Sequence, residues 1–279
     1  MKIIKSPSIL KENLNKLENI TLIPTMGNLH EGHLSLIKEA KKLSKNIVLT
    51  IFVNPIQFNS KHDLENYPRT LKQDVSLLKD SAVTILFTPS TKDIFPTKPF
   101  LSYKMPIISN ELCGKTRIGH FKGVITVVDR LFNLTNPSYA IFGKKDYQQL
   151  YLIKKFVSDS KLPIKIIEAP TIRNINNLAL SSRNNLLIDK DIKNAVELYK
   201  KLKICTESVL NGAKIHDAEL MAKEELTKEG WKIDYFEIRR QSDLKKPTNK
   251  DSKLVALSAG FFGDVRLIDN VEFCIPSTI

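Results

Sequence analysis

The sequence predicts an α/β fold, a parallel sheet flanked by helices, followed by a smaller α+β domain. Three observations carry this. Short apolar runs alternate with amphipathic stretches through roughly the first 170 residues. The run at 47–53 (IVLTIFV) is continuously apolar, as a strand buried on both faces requires. Beyond it the rhythm changes to two helical stretches and then to period-two alternation, the pattern of antiparallel strands beside helices.

Taken in order, residues 20–24 (ITLIP) read as a short buried strand, and 33–45 as a helix with Leu34, Ile37 and Leu36 or Ala40 on its apolar face. The strand at 47–53 follows, then a helix at 70–80 and a strand at 83–88 (VTILFT). A helix at 121–134, a strand at 138–142, a helix at 146–158 and a strand at 163–168 complete the βα alternation. Repeated this way, strand and helix imply a parallel sheet with helices on both faces. Helices at 189–209 and 215–229 are separated by Asn211-Gly212, and 231–239, 253–258 and the stretch near 264–268 alternate as strands. The expected domains are therefore 1–175 and 176–279.

Composition limits the function classes. Among 279 residues, 42% are hydrophobic, which excludes a disordered chain, and 10 Gly with 13 Pro exclude a collagen-like repeat. The net charge of +13 invites a polyanionic partner, yet only eight of the 43 basic residues are Arg, the residue that reads phosphates and bases bidentately. A solvated basic surface is the expectation, with no nucleic acid as partner. Cys113, Cys205 and Cys274 are far apart with no C-x-x-C spacing, pointing to a reducing, cytoplasmic setting rather than to disulfides or zinc. The N-terminal stretch has no signal-peptide apolar core, and the longest uncharged run, 46–60, is too short and polar to span a bilayer, so no membrane partner is expected.

Chemistry concentrates where strands end. Met26, Gly27, Asn28, Leu29, His30, Glu31, Gly32 and His33 join the first strand to the first long helix. Ligands of parallel sheets bind at such ends, and a helix N-terminus offers N–H groups suited to phosphate. His30 and His33, three apart, are spaced to donate to the same developing negative charge. Capping or surface roles remain the plain alternative, and metal lacks a nearby third ligand. Asn54 and Gln57 follow the 47–53 strand and give an apolar pocket amide handles, suited to a small branched hydroxy acid.

Tyr67-Pro68-Arg69-Thr70 reads as a loop. Gly114, Gly119 and Gly123 in a basic segment suggest mobility over a charged ligand. At the next junction, Gly143, Lys144, Lys145 and Asp146 open a helix; Lys145 can reach phosphates as a point charge, and Gln149 lies a turn further in. Ile172 and Arg173 lead through Asn176-Asn177 to Leu180, Ser181, Ser182 and Arg183, where two hydroxyls and a guanidinium beside backbone amides make an anion nest.

The 24–33 segment resembles the histidine motif of the nucleotidylyltransferase and class I aminoacyl-tRNA synthetase superfamily. Together with Phe52-Val53-Asn54-Pro55-Ile56-Gln57-Phe58, the Tyr-Pro-Arg-Thr loop, the glycine-bearing basic segment, Lys145-Asp146, Leu180-Ser181-Ser182-Arg183 and Arg266-Leu267-Ile268-Asp269-Asn270, it is similar to the pantothenate synthetase (pantoate–β-alanine ligase) family. The resemblance implies a Rossmann-like nucleotide- and pantoate-binding domain, a C-terminal lid, and a homodimer. It implies ATP and Mg2+ as cofactors, pantoate and β-alanine as small-molecule substrates, and a pantoyl adenylate intermediate. It assigns His30, His33, Lys145 and Arg183 to catalysis, and the segments 26–33, 143–146, Ile172 and 180–183 to ATP. Gln57 and Gln149 go to pantoate, and Gln57 also to β-alanine. Metal ligands are not indicated.

Four positions depart from the family pattern. Cys113 and Lys144 stand where an acid is expected, and Asn176-Asn177 replaces Asp-Gly. Lys144 is expected to face solvent or add to phosphate attraction, and the Asn pair to preserve the turn, since Asn tolerates left-handed backbone. The closing Arg266–Asn270 strand reads as more structural than catalytic. Two rival readings are another nucleotidylyltransferase, using CTP or a different acid, and a basic RNA-binding module, which would need clustered Arg and exposed aromatics.

Overall fold

A computed structural model describes residues 1–276, which form two compact units. The first comprises Met1–Ser109, Arg117–Lys144 and Gln149–Ile172; the second comprises Asn110–Thr116, Lys145–Gln148 and the chain from Arg173 onward.

In the first unit, β1 (Lys2–Ile4), β2 (Thr21–Thr25), β3 (Ile47–Ile51), β4 (Ile85–Phe87), β5 (Tyr139–Gly143) and β6 (Lys165–Ala169) form one sheet in the order β1-β4-β3-β2-β5-β6. Every neighbouring pair is parallel. Ile23, Leu49, Leu86 and Ile141 pack on one face against Leu36, Ile37 and Ala40 of the helix Glu31–Lys41. Side chains alternate along a strand, so Leu22, Val48, Ile85 and Ala140 lie on the opposite face, and all four are buried. Helices therefore cover both faces, and the strands read as continuous apolar runs for that reason.

The chain leaves β2 toward β3 and β4 on one side, and β5 and β6 lie on the other, so strand order reverses between β2 and β5. A doubly wound sheet opens a ligand crevice at the carboxyl ends of the strands at such a switch point. The histidine segment follows β2 and Lys144 follows β5, so both belong to that end of the sheet.

Sequence periodicity misses β1 and the helix Pro7–Leu14. Three residues carry no readable period, and the helix is marked only by Pro7 at its start and buried Leu10 and Leu14 one turn apart. The helix expected at 189–209 is two, Asp189–Ala195 and Glu197–Leu210, interrupted at Val196, which keeps helical dihedrals. Among the described residues, no helix is long and apolar enough to cross a membrane.

The second unit packs helices Glu197–Leu210 and Ile215–Lys228 against an antiparallel sheet of β7 (Trp231–Arg240), β8 (Lys253–Phe262) and β9 (Val265–Cys274). Leu198, Leu202, Leu226, Trp231, Ile238 and Leu254 are among its core. The register slips between Ile233 and Tyr235, and the bulge leaves Asp234 out of the ladder.

Candidate functional site

His30 and His33 cap the helix that follows β2 and hold one another in place. The His30 ring accepts a hydrogen bond at Nδ1 from the Gly32 N–H (3.1 Å), and the His33 ring accepts at Nδ1 from the His30 N–H (3.3 Å). A ring nitrogen that accepts carries no proton, so in the neutral imidazole the proton sits on Nε2. The ring centroids lie 4.1 Å apart. The cap therefore sets the tautomer of both rings, with the proton on Nε2.

The N–H groups of the segment leading into this helix, and those of His30 and Gly32 in its cap, are occupied within the protein. The Gly27 N–H goes to the Thr25 hydroxyl, those of Asn28 and Leu29 to the Asp74 carboxylate, and those of His30 and Gly32 to the two rings. Gly27 and Asn28 are buried, Met26, Leu29 and Gly32 are half-buried, and Glu31 is exposed.

Gln57 is buried in the turn Pro55–Gln57, and its amide is oriented on both sides. Asn54 Nδ2 donates to Gln57 Oε1 (3.0 Å) and to the Gly123 carbonyl (3.1 Å), while Gln57 Nε2 reaches the Met26 sulfur at 2.9 Å. Asn54 Oδ1 is buried with no hydrogen-bond partner among the described residues. Gly123 lies inside the helix His120–Thr135, where the helix expected at 121–134 places it, although the sequence also groups it with Gly114 and Gly119 in a mobile segment. A Cβ there would lie 2.3 Å from the Ile56 carbonyl oxygen, so only glycine lets this helix approach the turn that carries Gln57. Nδ1 of His120 lies 2.7 Å from the Gln57 carbonyl oxygen. Arg117 can only donate, so its contact with His120 Nε2 (3.0 Å) makes Nε2 the acceptor and Nδ1–H the donor to Gln57.

Beyond β5, Gly143 and Lys144 stay with the first unit. The Lys144 ammonium lies 3.6 Å from Glu168, which Lys154 also contacts at 2.5 Å. Gln149, half-buried, belongs to the first unit as well, and so does Ile172.

Lys145 and Asp146 belong to the second unit. Burial pushes the Lys145 ammonium below its ordinary value; Asp146 opposes this, Arg183 adds to it, Asp269 opposes and Arg173 adds. The residue keeps a partly exposed surface although its charge sits among protein atoms. Three cationic side chains against two carboxylates make a local field that favours an anion.

Arg173 organises this half. It forms a fork with Asp269 at 2.6 and 2.7 Å, and its guanidinium stacks 3.5 Å from the Tyr199 ring centre. The Asn176-Asn177 turn is preserved: Asn177 takes φ 66°, and Asn174 Oδ1 accepts from the N–H groups of Asn176 and Leu178. Leu180, Ser181, Ser182 and Arg183 follow, all half-buried, and the Ser181 hydroxyl accepts from the Arg183 N–H at 3.2 Å. Cys113 occupies its acid position by turning into this unit, 3.1 Å from the Tyr235 hydroxyl and 3.5 Å from Arg266, whose Nε donates to the bulged Asp234 at 2.8 Å.

Asp74, His120, Arg173 and Asp269 support these groups and were not singled out for it from the sequence. Asp269 and Asn270 lie in the closing strand read as structural, and Asn270 Nδ2 donates to the Lys145 carbonyl at 3.0 Å. Their signal is spatial pairing, which one sequence does not display.

Comparison with known proteins gives a consistent result. The family described as Pantoate-beta-alanine ligase matches residues 2–272. The chain is 44% identical over 276 residues to a pantothenate synthetase of Methylobacillus flagellatus, covering 99% of both. It is 43% identical over 278 residues to one of Neisseria meningitidis serogroup B, covering 99% of this chain and 100% of that one. Its fold is similar to the crystal structure of pantothenate synthetase from Thermus thermophilus, with a TM-score of 0.90, 34% identity, and 97% and 99% of the two chains covered. It is also similar to a pantoate-beta-alanine ligase from Francisella tularensis complexed with beta-gamma ATP and beta-alanine, with a TM-score of 0.81, 37% identity and 97% of each chain covered.

Proposed function

The chain belongs to the pantoate–β-alanine ligase family, and we propose how its own residues divide that family's reaction. It is an ATP-dependent ligase that forms a carbon–nitrogen bond, condensing pantoate with β-alanine to pantothenate. The pantoate carboxylate attacks the α-phosphorus of ATP, the bond to the β-phosphate oxygen breaks, and pyrophosphate leaves. The β-alanine amine then attacks the acyl carbon of pantoyl adenylate, loses a proton, and AMP leaves.

The Nε2–H groups of His30 and His33 donate to phosphate oxygens as charge builds in the first step. They are preorganised by the cap, so little reorganisation accompanies the transition state. The observation that supports this most is the pair of Nδ1 contacts that fixes both tautomers. Lys145, Ser181, Ser182 and Arg183 act on ATP as cationic and hydroxyl donors, with Gly143, Lys144, Asp146, Ile172 and Leu180 as further contacts of the nucleotide. Gln57 and Gln149 hold pantoate, and Gln57 also β-alanine, by amide hydrogen bonds. Asn54 adds to Gln57 a carbonyl acceptor for a substrate hydroxyl.

Magnesium enters with the nucleotide in this reading. Among the described residues no group of three His, Cys, Asp or Glu side chains is arranged to hold a metal. When bound, it neutralises phosphate charge. The same reading makes the protein a cytoplasmic homodimer, to be checked by sedimentation at twice the 31.7 kDa chain mass.

Pantoate-dependent exchange of pyrophosphate into ATP, followed by AMP release on adding β-alanine, tests the assignment. Exchange supported by CTP, or by another acid in place of pantoate, would overturn it in favour of a different nucleotidylyltransferase.

A further inference from the structure

Asp74 is 2% exposed. A buried carboxylate is costly unless hydrogen bonds satisfy it. Here the donors are the backbone N–H groups of Asn28 (3.2 Å) and Leu29 (2.8 Å) and the Thr70 hydroxyl (3.2 Å). Two of those three donors belong to the segment that runs directly into His30.

That segment is one that would not hold its shape unaided. Gly27 and Asn28 take φ 81° and 51°, left-handed conformations that cost energy outside glycine. A Cβ at Gly27 would lie 2.9 Å from Ile51 Cγ2 and 3.1 Å from Asp74 Oδ2, so the loop is pressed against the carboxylate. Consecutive N–H groups in such a turn form a nest for an anion, and Asp74 fills it from inside the protein.

We propose that Asp74 is the positioning residue of the two-histidine donor: its carboxylate fixes the Gly27–Leu29 loop, and through the His30 backbone it fixes the tautomers of both rings. The link is continuous. Asp74 holds the Asn28 and Leu29 N–H groups, His30 follows in the chain, its own N–H goes to His33 Nδ1, and its ring accepts from Gly32. Asp74 touches no reacting atom and acts only through the imidazoles. The role rests on the reading of His30 and His33 as phosphate donors.

Asp74→Asn is the diagnostic variant, since it keeps the shape but turns an NH2 toward an N–H. Long-range 1H–15N spectra of the imidazoles report the tautomers directly. In the wild type both rings show Nε2–H; in D74N that population falls for His30 and His33. In the same variant kcat of pantoate-dependent pyrophosphate exchange drops about 10- to 100-fold, while KM for pantoate stays near the wild-type value. Should D74N not fold, Thr70→Val removes one donor to the carboxylate and shifts the same ring signals to a smaller extent. Unchanged His30 and His33 signals in the folded variant, or a kcat that falls only with the folded fraction, overturns the proposal. A wild type without pantoate-dependent exchange would refute the substrate reading instead, and the ring signals would still decide the role of Asp74.

Discussion

The ammonium of Lys144 lies 3.6 Å from the carboxylate of Glu168. Lys144 follows β5 and Glu168 sits on β6, and the two strands are paired with Phe142 opposite Glu168. A lysine at a position where the family carries an acid is thus matched by an acid on the neighbouring strand, which also receives Lys154. Lys144→Glu would set two carboxylates against one another and is expected to lower stability by about 1 kcal/mol, the upper range for a partly exposed pair. Lys144→Gln removes the charge without repulsion and is expected to leave KM for ATP within about twofold, since a change of that size is under 0.5 kcal/mol. A large rise in KM for ATP in K144Q would restore a direct phosphate role.

The same cluster shapes acid stability. Burial raises the Glu168 carboxyl, but the hydrogen bond and charge of Lys154, with the charge of Lys144, outweigh it and leave it below the ordinary glutamate value. A depressed carboxyl binds its proton less readily in the folded chain. Its contribution is therefore complete above the ordinary value near 4.3 and is lost as pH falls through the folded value. Denaturant titrations of wild type and Glu168→Gln should differ most at neutral pH and converge as pH falls through the lowered folded value.

Lys145 should couple nucleotide binding to protons. Its folded value is depressed, so the folded chain holds this proton less tightly than the unfolded one. The charge costs stability at neutral pH, and the cost fades as pH rises through the lowered value. A bound triphosphate restores the proton, so binding takes one up in the window between the lowered value and the ordinary one near 10.4. Calorimetry of a non-hydrolysable ATP analogue across alkaline pH, in buffers of different ionisation enthalpy, measures that uptake. Lys145→Met should abolish it, weaken binding, and raise the melting temperature of the free protein. Equal proton counts for the two proteins would remove Lys145 from the phosphate site.

Gly123→Ala tests the turn that carries Gln57. The added Cβ would meet the Ile56 carbonyl at 2.3 Å and Gln57 Cα at 2.9 Å, both backbone atoms with little freedom. The expected cost is roughly 1–3 kcal/mol of stability, the scale of overpacking, with a raised KM for pantoate and an ATP constant that moves less. Equal effects on both substrates would show that the strain spreads beyond this turn.

His33→Ala should remove roughly 3–4 kcal/mol of transition-state stabilisation from adenylation, the scale of one preorganised donor. The loss appears in kcat of pyrophosphate exchange. Because His33 Nδ1 also accepts from the His30 N–H, the variant should disturb the His30 tautomer as well. A near-normal exchange rate would take His33 out of the chemistry.

Much of this was legible beforehand because its causes are local. The strands at 47–53 and 163–168 show as apolar runs, and the histidine segment shows as glycines and imidazoles at a strand end. Asn177 could be expected in a left-handed turn because that preference belongs to the residue itself. What stayed hidden depends on distance in the chain. Asp74 meets Asn28 across 46 residues, His120 meets Gln57 across 63, and Arg173 meets Asp269 across 96. The occupation of the Asn28 and Leu29 N–H groups, just ahead of the helix, was hidden for the same reason, since their acceptor lies on a different helix.

The sequence by itself determined the fold class, the order of the main strands and helices from the second strand onward, and which residues to propose for the chemistry, since helix and strand periods and strand-end motifs are written within about a dozen neighbouring residues. Only the tertiary structure decided which polar groups those residues still offer to a ligand. Hydrogen bonds within the protein and hydrogen bonds to a substrate compete for the same atoms. The outcome at His30, His33 and Lys144 was set by Gly32, the His30 backbone and Glu168 once the chain had folded.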